Sequence, residues 1–165
     1  MSVPEGLRKC GKLKVLVEAL DLTDYTLTIT ANSKVFVPEY KSVLTDKINE
    51  LVLNIYINLF TANNIVVKSE MDARERHQLQ MVAITQCNDL LALIQIAQKV
   101  FHLKLKRIKY WGSKIISVKS LIKSWARADV ERYSAAQLPM LVNREFSGMV
   151  IVVRSLQPKK ADSPI

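Results

Sequence analysis

The basic side chains of this sequence are concentrated in one segment that has no acidic partners. The 39 residues between Asp89 and Asp129 contain no carboxylate but hold nine lysines and arginines, which equals the formal net charge of +9 of the whole chain. The other 15 of the 24 basic residues are balanced by the 15 acidic ones. A positive field focused in this way attracts polyanions, nucleic acids among them.

Eight of these cations are candidates for contacts with phosphate groups. They are Lys104, Lys106, Arg107, Lys109, Lys114, Lys119, Lys123 and Arg127. Helical spacing places four of them on the side opposite the apolar stripe, namely Lys109, Lys119, Lys123 and Arg127. Four serines share that side, and their small hydroxyl side chains would let a phosphate backbone approach: Ser113, Ser117, Ser120 and Ser124. The alternative is that this is only the solvated side of an amphipathic helix, but such helices usually gain from pairs of opposite charge.

The pattern predicts binding through the nucleic-acid backbone and no reading of base sequence. If about six cations each neutralise a phosphate, log affinity falls with log salt with a slope of about −5 for a duplex or about −4 for a single strand. Trp111 and Trp125 occupy the apolar stripe, which favours packing over base stacking, whereas Tyr110 lies off it. For Asn88 and Asp89 the sequence leaves three alternatives open: they are simply exposed, they contact another subunit, or they contact a cation of the fourth helix.

Residues for catalysis or metal binding are scarce. His77 and His102 are the only imidazoles, neither has a zinc-ligand spacing, and the four glycines form no phosphate-binding loop. The carboxylates of Glu70, Asp72 and Glu75 lie beside basic residues, which is typical of an exposed helix start. We therefore predict no enzymatic activity, no metal and no cofactor.

Composition favours a helical protein. The chain has 165 residues, about one domain, with 49% apolar and 7% aromatic residues, four glycines and five prolines. We expect Cys10 and Cys87 to be reduced. At the N-terminus, acidic residues interrupt the apolar stretch that a signal peptide would need. No run reaches the roughly 18 apolar residues of a membrane span. A cytoplasmic protein is predicted.

Apolar periodicity predicts four helices. The first covers residues 7–32, although the alternation in Thr26–Thr30 is also compatible with a strand. The second begins near residue 39, after Pro38, and ends at Asn63 and Asn64. The third follows a link at residues 67–69 and has the stripe Ala83, Cys87, Leu90, Ile94, Ala97 and Phe101. The fourth follows a break at residues 102–104 and has the stripe Ile108, Trp111, Ile115, Val118, Ile122 and Trp125.

These elements predict an all-α fold, an antiparallel up-down-up-down four-helix bundle over residues 7–133. Residues 134–165 form a C-terminal extension, irregular except for a short β-like run at Met149–Val153. The third helix also carries Leu91, Leu93, Ile96 and Val100 outside its stripe, more apolar surface than one core requires, which agrees with assembly into an oligomer.

Three stretches resemble a known family. They are Leu22–Leu27 running through Phe36-Val37-Pro38 to Leu44–Ile48; Arg74-Glu75-Arg76 with Ile84–Ile94; and Tyr110-Trp111-Gly112 followed by Leu121, Ile122 and Trp125. Over about residues 10–133 the chain resembles the four-helix accessory variability determinant (Avd) proteins of diversity-generating retroelements, which are related to the ribosomal-RNA intervening-sequence proteins. The tail from Ser134 departs from the shorter family pattern.

The resemblance implies a non-catalytic partner of a reverse transcriptase. Such a protein would assemble as a basic, barrel-like homopentamer that binds the enzyme and the template RNA or RNA/DNA hybrid during mutagenic copying. The rival hypothesis is a structural adaptor whose basic surface docks an acidic protein partner.

Overall fold

All the regular secondary structure in the described part of the chain is helical. The computed structural model describes the backbone of residues 11–137 and the side chains of residues 14–133. Within that range it contains four α-helices and no strand: α1 (Gly11–Thr30), α2 (Asp46–Asn64), α3 (Glu70–Val100) and α4 (Leu105–Gln137). The all-α prediction is confirmed, whereas the β-like run predicted at Met149–Val153 lies outside the described residues.

By its contacts the chain divides after Asp129. The core and the predicted cations belong to the first unit, residues 1–129, and the described part of the second unit is the last turns of α4.

The Thr-Leu-Thr-Ile-Thr segment is helical, and α1 continues through it to Thr30. The Thr23 hydroxyl donates to the carbonyl of Ala19 (2.8 Å) and the Thr30 hydroxyl donates to that of Thr26 (2.9 Å). Hydrogen bonds to the preceding turn satisfy buried threonine hydroxyls without leaving the helix. This resolves the ambiguity in favour of a helix.

The second helix begins later than the sequence predicts. A 3-10 turn at Pro38–Tyr40 and a π-helical turn at Lys41–Thr45 precede α2, which becomes regular only at Asp46. Val37 is extended (φ −64°, ψ 145°), as expected of a residue before proline. Pro38 therefore starts a helical path, but the chain needs two irregular turns before the regular hydrogen-bond pattern is established.

The third helix begins at a capping box, and a tight connection joins it to α4. The Ser69 hydroxyl accepts from the Asp72 N–H (3.2 Å), while the Asp72 carboxylate accepts from the backbone N–H groups of Lys68 and Ser69 (2.9 and 2.8 Å). After Val100 the chain turns at His102, which has a positive φ of 50°. The link at 67–69 and the break at 102–104 are confirmed.

The core consists of one buried stripe from each helix. On α3 all six predicted stripe residues are buried, and on α4 five are buried while Ile108 is half-buried. On α1 the apolar rhythm does not identify the buried face: Val15, Ala19, Leu22 and Thr26 are buried, whereas Val17 and Leu20 are each 52% exposed. Apolar residues occur on most sides of α1, so the sequence alone does not select one.

One described helix, α3, is long and apolar enough by length and composition to cross a membrane. A third of its most apolar window is buried within the structure (33%). Core helices of soluble proteins have the same length and composition, so this is weak evidence for a membrane span.

Candidate nucleic-acid interface

The fourth helix presents its serines and most of its cations to solvent. Its buried stripe determines which side faces away from the core, because residues half a turn from the stripe point outward. Ser113, Ser117, Ser120 and Ser124 are all exposed, as the spacing predicts. We call the exposed side of α4 that carries these serines with Lys106, Lys109, Lys123 and Arg127 the basic face.

Six of the eight predicted cations are exposed and two are half-buried. The exposed residues are Lys104, Lys106, Arg107, Lys109, Lys123 and Arg127; the half-buried residues are Lys114 and Lys119. Five of the six exposed cations, all except Arg127, form no salt bridge with the described side chains, residues 14–133. Their charges are therefore available to an external anion.

Lys114 has an acidic partner in a distant part of the sequence. Its ammonium forms an ion pair with Asp21 on α1, 93 residues away, and lies 5.1 Å from the ring centroid of Tyr110 and 5.7 Å from that of Tyr25. The hydrogen bond to Asp21 raises the pKa of Lys114 above its ordinary value. The segment without carboxylates therefore has an acidic neighbour on another helix. Lys114, beside this carboxylate, presents less net charge than the exposed lysines.

Lys119 contacts α3 instead of pointing directly outward. Its Nζ donates to Asn88 Oδ1 at 2.7 Å. This differs from the outward position that helical spacing predicts, because Lys119 lies on the flank of α4 that faces α3. Asn88 is itself exposed and contacts a cation of the fourth helix through this bond.

The acidic residue that ends the cation-rich segment faces inward. Asp129 is 5% exposed; its Oδ2 accepts from Gln80 Nε2 at 2.9 Å and lies 3.5 Å from Arg76 Nη1. Arg76 and Gln80 are also buried, at 4% and 0% exposure. This carboxylate therefore belongs to a buried polar cluster between α3 and α4 and is turned away from the basic face.

The aromatic residues of α4 contribute mostly to packing. Trp111 is fully buried and its Nε1 donates to Thr26 Oγ1 at 3.0 Å, while Trp125 is 6% exposed. Packing is confirmed for both indoles. Tyr110 is 53% exposed, with its ring edge-on to Tyr25 at 5.1 Å between centroids. Burial raises the pKa of that Tyr25 hydroxyl above its ordinary value.

No pattern in the sequence indicates that Lys34 lies near the start of α4. Lys34, from the connection between α1 and α2, lines a cavity of about 440 Å³ together with Lys104 and Arg107 from the start of α4. About 70 residues separate Lys34 from these partners, so local periodicity cannot connect them. The one local hint is that basic residues stand where a helix start usually has a capping residue and acids.

Within residues 14–133, no group of three or more His, Cys, Asp or Glu side chains is placed to hold a metal ion. Cys87 is fully buried, and burial raises the pKa of its thiol from the ordinary 9.0 to about 12. A thiol of this kind behaves as a small core residue.

Comparison of the chain with protein-family models, with curated proteins and with solved structures gave no significant match.

Proposed function

We propose that this protein is a non-catalytic, nucleic-acid-binding accessory subunit of a diversity-generating retroelement reverse transcriptase. In this proposal it acts in the cytoplasm and binds the template RNA or the RNA/DNA hybrid through α4. The observation that carries the binding proposal is the set of exposed α4 cations without salt bridges to the described side chains. The retroelement assignment rests on the Avd resemblance.

Backbone binding suits the chemistry of the basic face. Exposed serine hydroxyls alternate with lysines along α4, so phosphate oxygens would meet hydrogen-bond donors and positive charge together. The buried indoles leave Tyr110 as the exposed aromatic ring of the described α4 residues 105–133. Sequence-independent contact with phosphates is the mode that these groups support.

An antiparallel up-down-up-down bundle is the proposed arrangement of the helices. In each of three helix pairs, contact positions that advance along one helix move backwards along the other, as antiparallel packing requires. Between α1 and α2, Thr23 contacts Val52 and Thr30 contacts Asn49. Between α3 and α4, Gln80 contacts Asp129 and Asn88 contacts Lys119. Between α1 and α4, Asp21 contacts Lys114 and Thr26 contacts Trp111. Such a bundle would hold the basic face straight along α4.

A homo-oligomer, a pentamer by the Avd resemblance, is part of the proposal. Of the four apolar residues predicted outside the α3 stripe, Leu91, Leu93 and Val100 pack against the core. Ile96 is 50% exposed and remains available for assembly. On α2, Leu53, Ile57 and Phe60 are 41%, 54% and 48% exposed, at the spacing of one helix face. Light scattering coupled to size exclusion measures the subunit number, and a monomer at micromolar concentration would contradict this part.

The binding site is tested by charge reversal with a matched control. The variant Lys109→Glu/Lys123→Glu alters the basic face, and Lys47→Glu/Lys68→Glu alters exposed lysines outside α4. Both lower the net charge from +9 to +5. We expect the first variant to weaken RNA binding and to flatten the salt slope by about 2, because two phosphate contacts are lost, and the second to do much less.

Equal losses in the two variants would show that binding follows net charge alone, which would remove the assigned face. An adaptor for an acidic protein would instead show little affinity for RNA, DNA or hybrid at any salt concentration. For the retroelement assignment, the decisive observation is the coding neighbourhood. A reverse transcriptase gene beside a duplicated template and variable segment would support it.

A further inference from the structure

The cavity at the start of α4, which we call the end cavity, combines a basic rim with an apolar floor. It has a volume of about 440 Å³ and lies where the connection between α1 and α2 meets the connection between α3 and α4. Lys34, Lys104 and Arg107 form the rim, and Val35, Val37 and Phe101 are among the residues of the floor. This volume is within the range of small-ligand sites, roughly 300–1,000 Å³.

The three rim cations have no countercharge in the described structure. All three are exposed, and none forms a salt bridge with residues 14–133. None of the lining residues that the structure describes is acidic. Like charges gathered around a concave site repel each other and raise the local positive potential, and a bound anion would relieve both effects.

The start of α4 adds to this potential. The carbonyl of Lys104 accepts from the N–H groups of Arg107 and Ile108 (2.9 and 3.3 Å), so Lys104 stands at the position where helices prefer Ser, Thr, Asp or Asn. The first N–H groups of a helix lack partners within the helix and carry partial positive charge. Lys106 and Arg107 follow where acids would be favourable, and Lys34 adds a cation from another segment.

The floor is apolar and held in place by ring contacts. Phe101 is 9% exposed and packs against Phe36 and Tyr40, with centroid distances of 4.7 and 6.0 Å. Val35 and Val37 are half-buried beside it. Because these side chains are already packed, the floor offers a preformed surface to an apolar group.

We propose that the end cavity binds a phosphate monoester joined to a flat ring system, the chemistry of a nucleoside monophosphate. The phosphate lies among Lys34, Lys104 and Arg107, and the ring lies against the valines and the edge of Phe101. An inorganic anion would leave the floor without a partner, and an apolar ligand would leave the cations without one. The ligand is either a free nucleotide or the phosphorylated 5′ end of a strand.

Calorimetry on the full chain tests the site with AMP as the probe. We expect AMP to bind more tightly than inorganic phosphate, adenosine or ribose 5-phosphate, because only AMP engages both rim and floor. Lys34→Gln and Arg107→Gln should each weaken AMP binding about tenfold, since each removes a charge-assisted contact. Lys47→Gln, which changes an exposed lysine on α2, should leave it unchanged. Absence of AMP binding, or binding that neither rim variant weakens, would overturn the proposal.

A second arm identifies the source of the phosphate. The same RNA oligonucleotide is compared with a 5′-phosphate and with a 5′-hydroxyl. Tighter binding of the phosphorylated strand that Lys34→Gln abolishes assigns the strand end, and equal binding of the two strands together with AMP binding assigns a free nucleotide. Lys34 lies outside the basic face, so Lys34→Gln reports on the end cavity and Lys109→Glu/Lys123→Glu reports on the proposed function.

Discussion

Trp111 Nε1 donates a 3.0 Å hydrogen bond to Thr26 Oγ1, and this bond joins two fully buried side chains that are 85 residues apart. A buried indole N–H requires an acceptor, and Thr26 is placed on the inner side of α1 to supply one. The bond links the buried sides of α4 and α1. It thereby helps to hold the buried stripe inward and the basic face outward.

We expect Trp111→Phe to lower the free energy of unfolding by about 3 kcal/mol, because it leaves a cavity and removes the donor to Thr26. Thr26→Val should lower it by about 1 to 2 kcal/mol, because the indole N–H loses its acceptor. Urea unfolding at one protein concentration measures both. In the double variant the two losses should fall short of their sum by about 1 kcal/mol, and strict additivity would show that the bond does not stabilise the protein.

The ion pair between Lys114 and Asp21 predicts unequal contributions from the α4 lysines. Lys114→Gln should reduce RNA affinity less than Lys109→Gln, because the carboxylate of Asp21 already offsets the Lys114 charge. Asp21→Asn should increase RNA affinity at low salt, since it removes a negative charge from beside α4. A salt-resolved binding titration measures all three variants. A larger effect of Lys114→Gln than of Lys109→Gln would contradict the assignment of charge along the helix.

The buried thiol predicts slow alkylation in the native state. In a Cys10→Ser background, Cys87 should react with iodoacetamide at about pH 8 at least about 1000-fold more slowly than an unfolded cysteine, because the raised pKa depletes the thiolate and burial limits access. Mass spectrometry follows the reaction. Rapid labelling of the folded protein would show that this part of the core opens readily.

The same thiol predicts a loss of stability at alkaline pH. The pKa is raised from 9.0 to about 12 on folding, so its contribution to stability is present below about pH 9 and is lost as the pH rises towards 12. Cys87→Ala is the matched control, because the other titrating groups are unchanged in it. As the pH rises from about 9 towards 12, the natural protein should lose unfolding free energy relative to Cys87→Ala.

The capping box of α3 predicts a loss of stability in acid. Hydrogen bonds from the backbone N–H of Lys68, and then from Ser69, lower the pKa of Asp72 below its ordinary 3.8. The carboxylate therefore stabilises the fold above that ordinary value, and this contribution is lost as the pH falls through the lowered pKa. Asp72→Asn should be less stable than the natural sequence at about pH 7, and this difference should shrink as the pH falls below 3.8.

A companion variant separates the cap from the charge. Ser69→Ala should cost about 1 kcal/mol at about pH 7, because the Asp72 N–H loses its acceptor. Chemical unfolding followed by circular dichroism measures both variants. A pH dependence that is the same with and without the Asp72 carboxylate would contradict the cap.

Much of the helical structure follows from the sequence because it depends on local spacing. The alternation of three and four residues in α3 and α4 identified eleven buried stripe residues out of twelve. The predicted links between helices located five of the helix ends to within about two residues. On α1 the spacing of apolar residues does not select the buried face. Leu20 and Val17 are as apolar as Leu22 and Val15, and only packing against the other helices distinguishes them.

The candidate site divides in the same way. The sequence by itself determined that the cations gather on one helix and that serines and lysines share its exposed side, because a helix with a strong apolar stripe has one possible orientation. Only the tertiary structure decided that Asp21 neutralises Lys114, that Asn88 holds Lys119, and that Lys34 joins Lys104 and Arg107 around one cavity. Those relationships depend on which helix faces are brought together in space, and the spacing of residues along one helix contains no information about its neighbours.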